Sequence, residues 1–445
     1  MVDKNTKSSV GTVGKIYVSI LLIIFGGIVL HAPLSVGFGT LWPQYSLLVK
    51  SWKEILMLFA GVMALYLLYH HKRFKLLKDP IMVAIEVYAA LHLILLFYLS
   101  QGLQSVLAGL AIDLRYVLFF ALVYIALKLY PKYRSLFIKV GITGALVVLT
   151  FALLQVFVLP KDILKYLGYN TNTISAYLTI DKNNLFIRIN STLRGPNPLG
   201  AYAGMVLAFI VAAISRHKIK KEKWPLVITA ILSAGGVVAL WASYSRTAWL
   251  GTLAAIIIIL GVVASKKLSP KLWITIGITV LALSGILFVA RDTSFVSNVI
   301  LHDNPSGGSL VKSNEGHVSS LADGFNQLIH QPIGAGIGST GSASILSNKT
   351  EIIENQYLFI AHEIGWLGLG LFIFIFAAIM TKLWKLRSNW LALGVLASGI
   401  SLALIGILLP VWVDDTVSII WWGLAAVVVG SRWYIVDGIE EKHGN

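Results

Sequence analysis

About 12 apolar runs, each long enough to cross a ~30 Å hydrocarbon core as a helix, make up most of the chain. They fall near 17–38, 52–69, 81–99, 106–127, 136–159, 198–214, 225–242, 247–264, 272–290, 357–380, 391–409 and 417–434. The intervals between them are mostly short and polar. Two are long, 160–195 and 291–355, and the second is rich in Gly and Ser, with Asn304-Pro305-Ser306-Gly307-Gly308. Long connections between spans tend to be functional. The pattern predicts an all-α, polytopic membrane protein, one integral membrane domain over 1–445. It has about 12 transmembrane helices and a large loop, 291–355, between helices 9 and 10 that forms part of the site.

Composition agrees. Hydrophobic residues make up 57% of the chain and charged residues 13%, half the ~25% charge of a soluble domain. The first run is too long, and lacks a suitable cleavage site, to be a removable signal peptide. Gly334-Ala335-Gly336-Ile337-Gly338 resembles a dinucleotide fingerprint only in its glycines, because no strand–helix context surrounds it. It reads as a series of turns. There is no cysteine, which excludes disulfides, thiolate metal sites and a cysteine nucleophile.

The formal net charge of +16 would suit nucleic acid, but its distribution does not. Lys and Arg cluster in every second interval, at 72–78, 128–139, 216–223, 266–271 and 382–387. That is the positive-inside pattern. It predicts cytoplasmic N and C termini, contact with membrane lipids, no nucleic-acid partner, and a site facing the outside. Trp42, Trp412, Trp421 and Trp422 fall near predicted span ends, where an aromatic belt is expected.

A few bases remain on the outer side, Lys165, Arg188, Arg194, Arg246 and Arg291 among them. Arg246 stands between two apolar runs with almost no loop between them. A charge there is costly, about 2.5–3.5 kcal/mol at mid-bilayer, and calls for a distant carboxylate or an anionic ligand. Arg194 precedes a helix start marked by Gly195-Pro196-Asn197-Pro198, where free N–H groups and the helix dipole favour phosphate. Arg115 has Asp113 nearby in sequence within a span, so a structural role competes there with a ligand role. Glu354 closes the long loop just before a span, and Glu363 follows inside the apolar run. His317, in Glu315-Gly316-His317, is a second candidate base. His92 and His362 read as hydrogen-bonded structural residues. No Ser/His/Asp triad and no zinc spacing is present. Asp414-Asp415 lacks further placed ligands, so no metal and no cofactor is implied.

The motifs, in order, are Arg194-Gly-Pro-Asn-Pro-Leu-Gly200, Tyr244-Ser-Arg-Thr-Ala-Trp-Leu-Gly251, the Gly-His and Gln-Pro-Ile-Gly-Ala-Gly-Ile-Gly elements of 316–338, and Glu354-Asn-Gln-Tyr-Leu followed by Glu363-Ile-Gly-Trp-Leu-Gly368. This series resembles the O-antigen ligase and Wzy-type polymerase superfamily of membrane glycosyltransferases. The resemblance implies a metal-independent, inverting enzyme. It would move a glycan from an undecaprenyl-diphosphate donor to a glycan or lipid-linked acceptor. Arg194 and Arg246 match arginines that hold the diphosphate, with Asn197, Tyr244, Asn355, Arg291 and Arg115 as secondary substrate-binding candidates. Ligases to lipid A core commonly carry a His-Asn pair where this chain has Glu354-Asn355. That favours a polymerase-like role in surface polysaccharide (O-antigen) synthesis, with Glu354 or His317 as base, over a ligase to a lipid or other acceptor. A transporter or flippase of an anionic or lipid-linked solute is the rival class, though no internal repeat is visible. A glycan polymerase of the shape, elongation and division class shares the carrier chemistry but should show other motifs.

Overall fold

The computed structural model describes residues 4–97, 101–180, 183–216, 226–264, 293, 324–326, 328–347 and 350–431. The helices are α1 (Lys4–Gly27), α2 (His31–Leu41), α3 (Trp52–His70), α4 (Pro80–Leu95), α5 (Leu103–Leu129) and α6 (Arg134–Phe157). They continue with α7 (Pro196–Ser215), α8 (Leu226–Ala242), α9 (Arg246–Ala264), α10 (Gln356–Lys385), α11 (Trp390–Ile405) and α12 (Asp415–Gly430). Among the described residues, seven helical segments are at least 18 residues long and apolar enough to cross a membrane; four shorter apolar helices accompany them. The protein is a multi-pass membrane protein. The expected ninth span, 272–290, and most of the 291–355 loop lie outside the described residues.

The first apolar run is not one straight helix. A 3-10 turn at Ile28–Leu30 separates α1 from α2, and the Ile28 carbonyl accepts from Thr416 Oγ1 at 3.1 Å. The 160–195 connection holds a small antiparallel hairpin that the all-α expectation lacked, β1 (Leu178–Ile180) and β2 (Asn183–Arg188), with Leu178 opposite Arg188. Its residues Leu185-Phe186-Ile187 are strand formers after polar turn residues.

The central helix is α12, whose residues 416–430 are all buried. Trp412, Trp421 and Trp422 are at most 1% exposed and pack on one another with ring centroids 5.2–5.8 Å apart. The interface belt expected of them is therefore wrong. They form the aromatic core of the bundle, because α12 is enclosed along its whole length. Trp42 is 48% exposed, as a belt residue should be.

At the start of α12, Asp415 gathers three bases. It contacts Arg115 of α5, Lys53 of α3 at 3.6 Å and His31 of α2 at 3.1 Å. Glu54 joins through Lys53 at 3.1 Å. Arg115 also donates to the Val413 carbonyl. Asp113 does not pair with Arg115, since residues two apart on a helix diverge; it turns toward His92, 3.7 Å away.

Removing one member of a buried ion pair costs about 3–5 kcal/mol, because the other charge is left uncompensated. Asp415→Asn leaves three bases facing Glu54 alone, whereas Arg115→Met leaves Asp415 with Lys53 and His31. Thermal unfolding in detergent should therefore show the larger loss for Asp415→Asn. Equal losses would mean that Asp415 is not the hub.

Candidate active site

Arg246 is the first residue of α9, directly after the three-residue turn 243–245 that follows α8. Tyr244 sits in that turn with φ +47°. Ser191, three residues before Arg194, has φ +50°. Left-handed backbone at a non-glycine residue costs on the order of 1–3 kcal/mol and persists only where the surroundings impose it. For Ser191 the imposing bonds come from α6: its Oγ donates to the Val148 carbonyl at 2.7 Å, and its N–H donates to Gln155 Oε1 at 2.9 Å.

The two arginine loops adjoin. Ile189 donates its N–H to the Ala242 carbonyl at 3.2 Å. Arg188, at the end of β2, donates through Nε to the Ser243 carbonyl at 2.8 Å and through Nη2 to Asn197 Oδ1 at 2.6 Å. It thus joins the turn before Arg246 to the first turn of α7, just past Arg194. Gly200 continues the seam: a Cβ there would meet Ser243 Oγ and the Cβ atoms of Ala248 and Ser245 within 3.1 Å. Burial, and then the nearby Arg246 charge, lower the Arg188 pKa to about 10; the side chain remains a cation at neutral pH. Arg188 counted among the outer-side bases of the sequence without standing out. Its signal was its place at the end of a strand-forming run that points at the Arg194 motif.

Arg194 itself is exposed. Burial raises the Asp414 carboxyl above its usual range, and Arg194 and Arg115 pull against that rise. Arg194, six residues past Arg188 along the chain, thus acts electrostatically on the start of α12. From there the connections reach the start of α10. Trp412 donates its N–H to Gln356 Oε1 at 2.8 Å, and Gln356 donates its own to the Gly406 carbonyl at 2.8 Å. Glu354, half-buried, precedes this point by two residues. Arg246, Asn197, Arg194 and Glu354 thus share one end of the bundle.

Two of the secondary candidates already have partners in the fold. Asn355 is committed to the fold: its Oδ1 caps α10 by accepting from the N–H groups of Tyr357 and Leu358, and its Nδ2 donates to the Ile407 carbonyl at 2.6 Å. Arg115 spends its guanidinium on Asp415 and the Val413 carbonyl, so a carboxylate of the protein answers its charge. Glu363 faces the interior, 1% exposed, away from solvent. Tyr244 packs on Phe186 and Trp241, each at 6.3 Å between centroids. His317 and Arg291 lie outside the described residues.

The arrangement can hold an anion. An anion beside Arg188 and Arg246 offsets the repulsion between them and favours the charged form of Arg188, so binding is favoured below about pH 10 and weakens as Arg188 loses its proton above it. Inorganic pyrophosphate should raise the thermal unfolding temperature of the purified protein. Arg188→Met should weaken that affinity about tenfold or more, the scale of a charge-assisted bond. An undiminished shift in the variant would remove Arg188 from the anion site.

No curated protein matches the chain. Residues 231–373 match the family model described as O-antigen ligase, a segment that includes Arg246, Glu354 and Glu363 but not Arg188 or Arg194. That segment is similar to the O-antigen ligase family, in agreement with the resemblance to the O-antigen ligase and Wzy-type polymerase superfamily that the motifs carry.

Proposed function

We propose that this protein is a polymerase-like glycosyltransferase. It takes a glycan from an undecaprenyl-diphosphate carrier and passes it to an acceptor sugar hydroxyl at the outer face of the bacterial cytoplasmic membrane. The observation that carries this reading is the junction at Arg188, which joins the Arg194 and Arg246 loops into one cationic surface. The match to the O-antigen ligase family supports the reaction class.

In this reading the acceptor oxygen attacks the anomeric carbon opposite the diphosphate. The new C–O bond forms as the bond to the diphosphate oxygen breaks, so configuration inverts. Charge grows on the leaving diphosphate, where preorganised cations stabilise it. Arg246 and Arg194 bind it directly; planar guanidinium groups suit its oxygens through paired bonds. The acceptor proton passes to Glu354, and no metal or cofactor takes part. The same chemistry with a lipid or other acceptor makes a ligase, and the Glu354-Asn355 pair favours the polymerase.

Purified protein with a synthetic undecaprenyl-diphosphate oligosaccharide should lengthen the glycan and release the carrier diphosphate. Transport of the intact donor without transfer would instead favour the flippase class. Arg246→Lys should lose most turnover while remaining folded; near-normal turnover would refute its diphosphate role. Glu354→Gln should cost about 10²–10⁴-fold in turnover, the range of a general base, with little change in donor binding. A silent Glu354→Gln beside an inactive His317→Ala would move the role of base to His317.

A further inference from the structure

The kink in α10 has a partner. At Gly365 the backbone leaves the helix, with φ +69° and ψ −170°. The carbonyls freed there are taken by the glycine-rich segment: Ala335 donates its N–H to the His362 carbonyl at 2.6 Å, and Gly336 donates its own to the Glu363 carbonyl at 3.2 Å. In return Trp366 donates to the Pro332 carbonyl at 2.9 Å. On the other side Ser105 of α5 donates through Oγ to the Gly338 carbonyl at 2.7 Å and the Ala343 carbonyl at 2.8 Å. At Gly338, with φ +79°, an added Cβ would strike the Ser105 backbone. The glycines of this segment therefore serve close packing between α5 and the α10 kink.

At the centre of this packing is Thr340, fully buried. Its N–H donates to Glu363 Oε1 at 3.3 Å. Its hydroxyl donates to the Glu351 carbonyl at 3.1 Å and accepts from the Ile353 N–H at 3.2 Å. Gly341 adds an N–H to the same Glu351 carbonyl at 2.8 Å, and Ser344 Oγ accepts from the Glu351 N–H at 3.1 Å. Glu363 is itself enclosed, 1% exposed. Its Oε2 has no hydrogen-bond partner among the described residues, so Oε1 carries the contact that fixes the side chain. A buried carboxyl is costly, and here Glu363 anchors a hydrogen-bonded path through Thr340 that ends one residue before Glu354.

We propose that Thr340 is a positioning residue for glycosyl transfer. Anchored by Glu363 through its backbone, it uses its hydroxyl to fix the 351–353 segment and so sets where the Glu354 carboxylate meets the acceptor. The inference rests on Glu354 being the base, and the test separates the two ideas.

Thr340→Val keeps the N–H bond to Glu363 and removes the hydroxyl; Thr340→Ser keeps both. Thr340→Val should lower kcat about 10–100-fold, the scale of an ångström-sized misplacement, with the donor KM within about twofold, and Thr340→Ser should restore kcat. In a Glu354→Gln background Thr340→Val should add little further loss, because residues acting through one group are not additive. The chain contains no cysteine, and Ile352 is 62% exposed, so Ile352→Cys gives a single maleimide target in this segment. Its labelling should quicken about tenfold with Thr340→Val, the effect of one lost buried hydrogen bond, and stay unchanged with Thr340→Ser. If Glu354→Gln is silent, the base assignment fails, and with it the positioning role, whatever the labelling shows. If Glu354→Gln is inactive but Thr340→Val is silent, raises KM, loses as much in both backgrounds or leaves labelling unchanged, the positioning role fails and the base assignment stands. If Thr340→Val does not fold, Glu363→Gln against Glu363→Ala asks the same question, the amide keeping an acceptor for Thr340; equal kcat losses in those two would overturn the proposal.

Discussion

A charge enclosed by membrane helices must be answered by an opposite charge or by many hydrogen bonds, and Asp415 is where this requirement organises the bundle. It meets Arg115, Lys53 and His31 from three different helices, at the head of the helix that is buried along its length. The starts of α2 and α3 and the middle of α5 are thereby brought to one place. The neighbouring residues Val413 and Asp414 inherit a defined position, Val413 through Arg115 and Asp414 by capping α12 through Val417. Arg194 acts on Asp414, so the cationic surface is built out from a neutralised core. In the proposed function, a diphosphate site benefits from this order. Arg115, Lys53 and His31 hold the frame with their charge answered by Asp415, and Arg194 stands exposed at the surface.

The second organising feature is a helix that is not allowed to continue. Interrupting α10 at Gly365 exposes backbone groups that hydrocarbon cannot satisfy. The 332–336 segment supplies the missing partners. An irregular segment lying against a broken helix is thus required by hydrogen bonding, and it carries the chain back toward Glu354. Glu363, which the sequence places in the middle of an apolar run, makes sense only here, as the acceptor for Thr340.

The helices were legible because apolar runs near 20 residues admit little else in a bilayer. Their interruptions were not: the 3-10 turn at Ile28–Leu30 and the Gly365 kink lie inside unbroken apolar sequence, and partners from distant segments determine them. Arg194 and Arg246 stood out because glycine, proline and a very short turn surround them. Arg188 did not, since its importance comes from two bonds to residues far along the chain, Ser243 and Asn197. The tryptophans near 412–422 misled for a related reason. Composition places them at a span end, but only the packing around α12 tells an interface belt from an aromatic core. Asn355 likewise has the look of a ligand residue beside a candidate base, and its side chain is taken up by the helix cap and the Ile407 carbonyl.

Two of the positive-φ non-glycine residues, Ser191 and Tyr244, flank the two arginines. Strained backbone beside each guanidinium is costly, and the protein holds it there with bonds from α6 and from Arg188. Charge that develops during a reaction is stabilised most by groups that need not move to meet it. Arg188, with two bonds to the fold, suits the task of holding the loops; Arg194, exposed at the surface, suits contact with substrate. In the proposed function, preorganisation explains why Arg188 and Arg246 adjoin despite the repulsion between them: the repulsion is the part of the arrangement that an incoming diphosphate would relieve.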